Sequence, residues 1–281
     1  SHPPPAAPTP TPDPRMPTYV ITGASGGIGL GLVQALAARG DKVYATVRKK
    51  ENTATGQDLI SKVAGDVTII EGIDVTSDDV GAKLSAALAG VTIDVVVHNA
   101  GGIANRDGPD APTGMDAFAD GGGGPSGAKL ANLKAVTMER MLAAFQVNTL
   151  GPLRVQQALT DQMASPGGKV FIISSGMGSI TDNGSGGLYA YRTAKAGVNM
   201  VMRNISLDLK ELGIAVMSIN PGMVLTDFGP GSEAMGKFGA MPVEDSCAQL
   251  LQIFDMCSME TTGKFWTVKK GAEPIEFAGG F

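Results

Sequence analysis

The stretch Thr22-Gly23-Ala24-Ser25-Gly26-Gly27-Ile28-Gly29 decides the fold of this 281-residue chain. It follows the short apolar run Tyr19–Thr22 and opens the helical pattern Ile28–Arg39, which Gly40 ends. A glycine cluster alone often serves only to turn the chain. A glycine turn between a strand and a helix, however, is the context that a dinucleotide-binding turn requires.

Three of these glycines have separate physical roles in such a turn. Gly23 allows the tight turn, Gly27 lets the backbone approach a pyrophosphate, and Gly29 permits close contact between helix and strand. The helix N-terminus contributes amide donors and the positive end of its dipole. The stretch therefore predicts a pyrophosphate site at the start of the first helix.

The alternation of apolar strands and helices continues along the chain, and it predicts a parallel sheet covered on both faces. We expect an α/β fold, a doubly wound parallel sheet (Rossmann fold) of about seven strands, in a single domain over residues 18–281. The expected strands after the first are Lys42–Val47, Val67–Glu71, Ile93–His98, Lys169–Ser174, Ile214–Asn220 and Gly263–Val268. The expected helices after the first lie near Thr53–Ala64, Asp78–Leu88, Met138–Met163 and Tyr191–Leu212.

Two segments fall outside this pattern. Residues 1–17 are rich in proline and are expected to be a disordered leader or a remnant of cloning. Residues 103–133 form a glycine-rich insertion that is too long for an ordinary connection in a compact domain. The insertion is either a disordered loop or a lid, since it follows the carboxyl end of a strand, where ligands bind in such sheets.

Composition excludes several classes of function. The net charge of −5 offers no basic face for nucleic acid, and no apolar run is long enough to span a membrane. His2 and His98 are the only histidines, and no ligand spacing links them to Cys247 or Cys257, so no metal site is expected.

The two cysteines bear on the compartment. We expect Cys247 and Cys257 to be buried free thiols, although a disulfide stays open. Free thiols fit a reducing compartment, so a cytoplasmic location is expected. The interior of an organelle, after removal of a leader, is the alternative.

The second strand indicates which cofactor is bound. A site for NAD usually has an acidic side chain about 20 residues past the glycines, to hold the ribose 2′-hydroxyl. The segment Lys42–Lys50 has no acid there and instead offers Arg48, whose planar fork of donors suits a 2′-phosphate. NADP(H) is therefore favoured over NAD. Asp74, followed by Val75, could border the adenine or cap a helix.

Tyr191 and Lys195 lie one helical turn apart on one face of a predicted helix. A phenol with a pKa near 10 is a poor acid or base at neutral pH. A neighbouring ammonium favours the phenolate and so brings the group toward its working range. As an isolated pair this spacing is more often an ordinary surface feature of a helix.

Seven motifs occur along the chain in a fixed order. They are Thr22–Gly29, Asp74-Val75, Asn99-Ala100-Gly101, Asn148, Ser175, Tyr191 with Lys195, and Pro221-Gly222 with Thr226. With these motifs in this order, the sequence resembles the short-chain dehydrogenase/reductase family from about Tyr19 to Phe277. The run Leu188–Met200 and the ending Gly263–Ile275 are similar to the branch of C-factor and sniffer-like carbonyl reductases.

The resemblance implies a role for each catalytic residue. Tyr191 would protonate the carbonyl oxygen, and Lys195 would lower its pKa and bind the cofactor ribose. Ser175 would hold the substrate oxygen, and Asn148 would position a water that relays protons to Lys195. Thr226 would bind the cofactor carboxamide. The full expected cofactor set is Gly23, Ser25, Gly26, Gly27, Ile28, Gly29, Arg48, Asp74, Val75, Asn99, Ala100, Gly101, Tyr191, Lys195, Pro221, Gly222, Val224 and Thr226.

Side chains next to these motifs are expected to line the substrate pocket. They are Met177, Leu188, Tyr189, Met223 and Phe228, which suggest an adaptable apolar pocket. The sequence thus predicts an NADPH-dependent reductase of a small hydrophobic aldehyde or ketone. Reduction of a 3-oxoacyl thioester and a cofactor-binding sensor without turnover remain alternatives, and a homo-oligomer stays open.

Besides the long gap from Asn99 to Asn148 that the glycine-rich insertion creates, two further departures from the family pattern affect this expectation. His98 stands where the family commonly has an asparagine, and we expect it to be buried and hydrogen-bonded. The gap between Ser175 and Tyr191 is wider than usual because of the glycine loop Asp182–Gly187. We expect the loop to be absorbed without moving either catalytic group.

Overall fold

A computed structural model describes residues 16–52, 55–102, 133–134, 136–228 and 232–281. It contains one eight-stranded sheet with the order β3-β2-β1-β4-β5-β6-β7-β8. All neighbouring strands are parallel except β8, which runs antiparallel to β7. The strands are β1 Thr18–Thr22, β2 Lys42–Thr46, β3 Val67–Ile70, β4 Val95–His98, β5 Lys169–Ile173, β6 Ala215–Asn220, β7 Phe265–Thr267 and β8 Ile275–Glu276.

This topology confirms the predicted doubly wound parallel sheet, with a short antiparallel strand added at one edge. The strand order reverses between β1 and β4, since the chain builds outward from β1 on one side and from β4 on the other. Open sheets of this kind bind ligands in the crevice outside the carboxyl ends of the strands at such a reversal. The glycine turn that follows β1 lies at this reversal.

Helices cover both faces of the sheet. Along β1, Val20 packs with Leu84 and Met202 on one face, whereas Ile21 packs with Leu36 and Phe254 on the other. This alternation is the period of a strand that is buried on both sides. The helices are α1 Gly27–Arg39, α2 Val80–Ala87, α3 Met138–Phe145, α4 Gly151–Leu159, α5 Tyr189–Asp208, α6 Ser232–Lys237 and α7 Val243–Met256.

Gly31 brings α1 and α7 into close contact. A Cβ on Gly31 would lie 2.5 Å from Val243 Cγ1 and 2.9 Å from Cys247 Sγ, so a larger residue would force these side chains to shift. Cys247 and Cys257 are buried free thiols, as expected, and burial raises the pKa of each to about 12.

The helix expected near Thr53–Ala64 is wrong for the residues that the structure describes, and residues 53–54 lie outside them. Glu51 bridges Asp58 across a hairpin, and one 3-10 turn follows at Ile60–Lys62. The amide of Thr55 donates to the Asn52 side chain, and Gly56 has a left-handed φ of 66°. This local turn chemistry competes with helical bonding and prevails here.

The long helix expected over Met138–Met163 is divided. A π-helical turn, Gln146–Leu150, separates α3 from α4, and a 3-10 turn follows α4. Helices α6 and α7 and strand β8 were not predicted from the sequence. The expected leader and the glycine-rich insertion lie outside the described residues, apart from positions 16, 17 and 133.

None of the helices that the structure describes combines the length and the apolar character needed to cross a membrane.

Candidate active site

A cleft of about 870 Å³ lies at the carboxyl ends of the strands. The glycine turn after β1 lines it, and so do Tyr191 and Lys195. The predicted site residues that line it are Gly23, Ser25, Gly26, Gly27, Ile28, Arg48, Asp74, Val75, Asn99, Ala100, Gly101, Ser175, Met177, Leu188, Tyr191, Lys195, Pro221, Gly222, Met223, Val224, Thr226 and Phe228. Gly29, Asn148 and Tyr189 are not among the residues found to line it.

The glycine turn is shaped for a close approach of backbone to ligand. Gly23 has a φ of 69°, and a Cβ there would lie 2.8 Å from the Ala100 Cα. Gly27 has a φ of 53°, also in the left-handed region that favours glycine. A Cβ on Gly29 would collide with the Gly23 carbonyl, so this glycine permits contact inside the fold rather than contact with a ligand.

Among the residues that the structure describes, no side chain caps the first turn of α1. Its N-cap residue is Gly26, which has no side chain to accept from the first amides. The first N–H groups of a helix have no partner within the helix, so they and the dipole end favour an anion. A pyrophosphate fits this part of the cleft.

Thr22 fixes the glycine turn against the end of β4. Its hydroxyl accepts from the amides of Asn99 and Ala100, at 3.1 and 3.0 Å. The Asn99 side chain donates to the carbonyls of Thr22 and Gly23, at 3.0 and 3.1 Å. Asn99 therefore holds the turn in shape as well as lining the cleft.

The ends of β2 and β3 border the other side of the cleft. Arg48 is exposed and lines it. The Asp74 carboxylate accepts from the Thr76 amide and hydroxyl, at 2.9 and 2.7 Å, so it closes a turn after β3. It does not cap α2, whose N-cap residue is Asp79.

The two serines after β5 have different partners. Ser174 is buried, and its hydroxyl donates to the Asn199 side chain at 2.7 Å. Ser175 hydrogen-bonds Tyr191 and accepts from the Met177 amide at 3.2 Å. The structure thus brings Ser175, and not Ser174, to the phenol.

Tyr191 and Lys195 both line the cleft and are buried. The Lys195 Nζ lies 5.7 Å from the centre of the Tyr191 ring and donates to the Ile173 carbonyl at 3.0 Å. Burial raises the pKa of Tyr191 to about 12, while its hydrogen bond with Ser175 acts in the opposite direction. Burial also lowers the pKa of Lys195 to about 8.

These shifts differ from the sequence-based expectation that Lys195 lowers the pKa of Tyr191. Desolvation disfavours the phenolate, and it outweighs the other influences on Tyr191 in the protein alone. Tyr191 is consequently a protonated phenol at neutral pH, which is the form that can donate a proton.

Asn148 lies in the π-helical turn and is buried. Its amide donates to the carbonyls of Gly102 and Ala144, at 2.7 and 2.9 Å, and its oxygen accepts from the Gly102 amide at 3.2 Å. A Cβ on Gly101 would lie 3.0 Å from the Asn148 Oδ1 and 3.6 Å from the Lys195 Nζ. The π-helical turn therefore brings Asn148 close to Lys195, behind Gly101. Such turns are frequent at functional sites.

Sequence and structure comparisons identify the family. Residues 17–235 match the family model described as short chain dehydrogenase. The chain belongs to this family. It is 32% identical over 252 residues to 1-hydroxy-2-glutathionyl-2-methyl-3-butene dehydrogenase of Rhodococcus sp. (strain AD45), covering 89% of this chain and 96% of that protein.

Solved structures of carbonyl reductases resemble this short-chain dehydrogenase. Carbonyl reductase Sniffer of D. melanogaster superposes with a TM-score of 0.70 at 26% identity, covering 94% of this chain and all 100% of that one. The NADPH bound carbonyl reductase from chicken fatty liver gives a TM-score of 0.68 at 27% identity, covering 90% and 96%. The resemblance to sniffer-like carbonyl reductases is confirmed.

Apolar side chains contribute to the lining of the cleft in this short-chain dehydrogenase. Phe228 tilts against Tyr191 with ring centres 5.8 Å apart, and Met177 and Met223 are partly exposed. Leu188 has a φ of 52°, which is unusual for a residue with a bulky side chain. The expected pocket residue Tyr189 is half-buried but is not among the lining residues.

Sequence reasoning missed several residues that line the cleft. Gly102, Ile173 and Asn220 sit at or just beyond strand ends, so the rule that ligands bind there could have found them. Asn52, Met235 and Phe238 also line it. No local sequence signal marks them, because hairpin and helix packing brings them to the cleft.

His98, where the family commonly has asparagine, is a buried histidine at the end of β4. Its Nε2 lies 3.0 Å from the Gln156 Oε1, which confirms a buried and hydrogen-bonded side chain. Within the described part of the chain, its Nδ1 has no hydrogen-bond partner. Burial lowers the pKa of His98 to about 4, so the ring is neutral in the folded protein at neutral pH.

His98 should make the protein sensitive to acid. The unfolded chain takes up a proton near pH 6.5, but the folded chain does so only near pH 4, so stability falls as pH drops between these values. We expect this group to cost about 2 kcal/mol of unfolding free energy between pH 7 and pH 5. Urea unfolding at both pH values should show that the free energy of unfolding falls less on acidification in His98→Asn than in the unaltered protein. Equal losses in the two proteins would contradict the prediction.

Proposed function

We propose that this protein is an NADPH-dependent oxidoreductase that reduces the carbonyl group of a small, apolar aldehyde or ketone. The observation that carries the proposal is the arrangement around Tyr191. A protonated phenol is hydrogen-bonded to Ser175, lies beside the Lys195 ammonium, and shares one cleft with the glycine turn.

Tyr191 supplies the proton in this reaction. When the carbonyl oxygen gains negative charge, the phenol donates its proton, and the O–H bond of the product alcohol forms. Ser175 donates a hydrogen bond to the same oxygen and stabilises the charge that develops there. The Lys195 ammonium stabilises the phenolate that remains, and Asn148, close to Lys195, belongs to the path that returns a proton.

The cleft residues fit a nicotinamide dinucleotide. The uncapped first turn of α1 and the left-handed glycines would hold the pyrophosphate, and Thr226 would bind the carboxamide. When bound, the reduced nicotinamide supplies a hydride to the carbonyl carbon. Lys195, which lines the same cleft, would bind the ribose hydroxyls.

Arg48 supports the choice of the phosphorylated cofactor. It lines the cleft at the end of β2, where that strand carries no acid to hold a free 2′-hydroxyl. A guanidinium suits a phosphate through its fork of donors. The similar carbonyl reductase from chicken fatty liver, described as NADPH bound, agrees with this proposal.

The variant Arg48→Ala tests the cofactor proposal. We expect the KM for NADPH to rise about tenfold, because an exposed charge-assisted contact is lost, while the KM for NADH stays nearly constant. Lys62→Ala, which removes an exposed charge from the 3-10 turn after the hairpin, is the matched control. Similar losses with both cofactors would count against a 2′-phosphate contact.

The walls of the cleft support an apolar substrate. Met177, Met223 and Phe238 are each more than a third exposed around the cleft, and Phe228 lies against Tyr191. Flexible thioether and aromatic side chains adapt to apolar ligands of different shapes.

The proposed function is tested by following NADPH oxidation with a panel of aldehydes, ketones and 3-oxoacyl thioesters, with NADH in parallel. We expect turnover of apolar aldehydes or ketones, and a preference for NADPH. A preference for 3-oxoacyl thioesters would reassign the substrate class. Tight NADPH binding without turnover of any carbonyl compound would instead indicate a cofactor-binding sensor.

A further inference from the structure

The carboxyl-terminal segment packs against the turn that follows Ser175. Strand β8 pairs with β7, and the Phe277 amide donates to the Phe265 carbonyl at 2.7 Å. The rings of Phe265 and Phe277 lie 4.7 Å apart. The edge of the sheet thus fixes the course of this segment.

The turn Gly176–Gly178 is held between the Phe277 ring and α5. A Cβ on Gly176 would lie 3.2 Å from the Phe277 Cε2, and a Cβ on Gly178 would lie 2.8 Å from the Lys195 carbonyl. Each glycine faces one of the two surfaces: a side chain at Gly178 would collide with the backbone of α5, and one at Gly176 would crowd the Phe277 ring. The ring therefore presses the turn toward the backbone of Lys195.

A hydrogen bond ties the segment to the far end of the same turn. The Ser179 hydroxyl donates to the Gly279 carbonyl at 2.9 Å and accepts from the Asp182 amide at 3.2 Å. Ser175 begins the turn, and its hydroxyl accepts from the Met177 amide inside it. The carboxyl-terminal segment consequently holds the far end of the turn that Ser175 begins.

We propose that Phe277 is a positioning residue for Ser175, an inference that rests on the proposed function. Phe277 is not among the residues that line the cleft, so it acts through the turn. By holding the turn against α5, it keeps the Ser175 hydroxyl in hydrogen-bonding contact with Tyr191. A misplacement of about 1 Å at a catalytic group can cost about 100-fold in rate.

The test compares Phe277→Ala with Phe281→Ala in the full chain. Phe281 stacks on the same Phe265 ring at 5.9 Å, so its removal also deprives the segment of an aromatic contact with the sheet. In Phe277→Ala we expect kcat to fall about tenfold or more, with the KM for NADPH unchanged. Phe277→Leu, which refills part of the space, should recover part of kcat, and Phe281→Ala should keep it.

Hydrogen exchange provides a readout that is independent of activity. Amides of the turn donate within it, from Gly178 to the Ser175 carbonyl and from Ser179 to the Gly176 carbonyl. Exchange in a peptide covering residues 175–179 should be faster in Phe277→Ala than in Phe281→Ala. If Phe277→Ala does not fold, Gly176→Ala disturbs the same contact from the turn, because its Cβ would lie 3.2 Å from the Phe277 Cε2, and it should likewise lower kcat and speed exchange in this peptide.

The outcomes separate the two proposals. If the unaltered protein reduces carbonyl compounds but Phe277→Ala matches Phe281→Ala in kcat or in exchange, the positioning role is overturned while the proposed function stands. If the unaltered protein reduces no carbonyl compound, the proposed function fails. Hydrogen exchange that is faster in Phe277→Ala alone would then still support the conclusion that Phe277 holds the turn in place. Unchanged exchange would overturn that conclusion.

Discussion

Replacing Tyr191 with phenylalanine is expected to lower kcat for carbonyl reduction by about 100- to 10,000-fold, the range that a positioned general acid contributes. The substitution removes the hydroxyl that donates the proton and keeps the ring that packs against Phe228. Because the ring volume is kept, the affinity for NADPH should change little. Steady-state kinetics with the best carbonyl of the panel, together with NADPH binding by fluorescence, measures both effects.

Tyr44→Phe is the matched control for this prediction. Tyr44 is buried on β2, and a lysine, Lys42, lies 5.3 Å above its ring, so it also belongs to a tyrosine–lysine pair. Its hydroxyl is not part of the cleft lining, and we expect wild-type kcat. Activity retained in Tyr191→Phe would contradict its role as the acid.

The two tyrosine–lysine pairs show that proximity alone does not make a site. The Lys42 and Lys195 Nζ atoms lie at similar distances from their rings, 5.3 and 5.7 Å. The pKa of Lys42 is raised by its hydrogen bond with Tyr44, whereas burial lowers the pKa of Lys195 to about 8. The desolvation of Lys195 by burial therefore distinguishes the Tyr191–Lys195 pair from the Tyr44–Lys42 pair.

The parts of the molecule that follow local rules could be predicted from the sequence. The glycine turn after β1, the parallel strands and the shared face of Tyr191 and Lys195 depend on patterns within a few residues. The family's S-x-x-G pattern, which Gly178 completes, then selected Ser175 as the serine at the phenol, although Ser174 precedes it.

The predictions that were wrong, and the features that were not predicted, concern contacts between distant segments or turn chemistry. The hairpin that carries Asn52 replaces an expected helix, because its turn bonds outweigh the helical pattern. The contact of Phe277 with Gly176 joins residues about 100 positions apart, and no local sequence pattern at either residue indicates it. The raised pKa of Tyr191 likewise depends on burial, which spacing along a helix does not reveal.

The second large effect is expected for Lys195→Met, which keeps much of the side-chain length but removes the ammonium. Loss of a preorganised charge at a site of this kind costs about 100- to 1,000-fold in kcat. The substitution also removes the donor to the Ile173 carbonyl. Because Lys195 is proposed to bind the ribose hydroxyls, the KM for NADPH should rise as well. Lys42→Met removes the other lysine that lies over a tyrosine, and it should leave both constants unchanged.

The pH dependence separates an electrostatic role of Lys195 from a merely structural one. Because burial places the pKa of Lys195 at about 8, its ammonium is present at neutral pH and is lost as the pH rises through that value. The kcat/KM of the unaltered enzyme for the carbonyl, measured with saturating NADPH, should therefore fall above pH 8. The residual activity of Lys195→Met should lack this alkaline decline, since the titrating group is gone. An identical decline in both proteins would assign it to another group and leave Lys195 without the proposed charge effect on Tyr191.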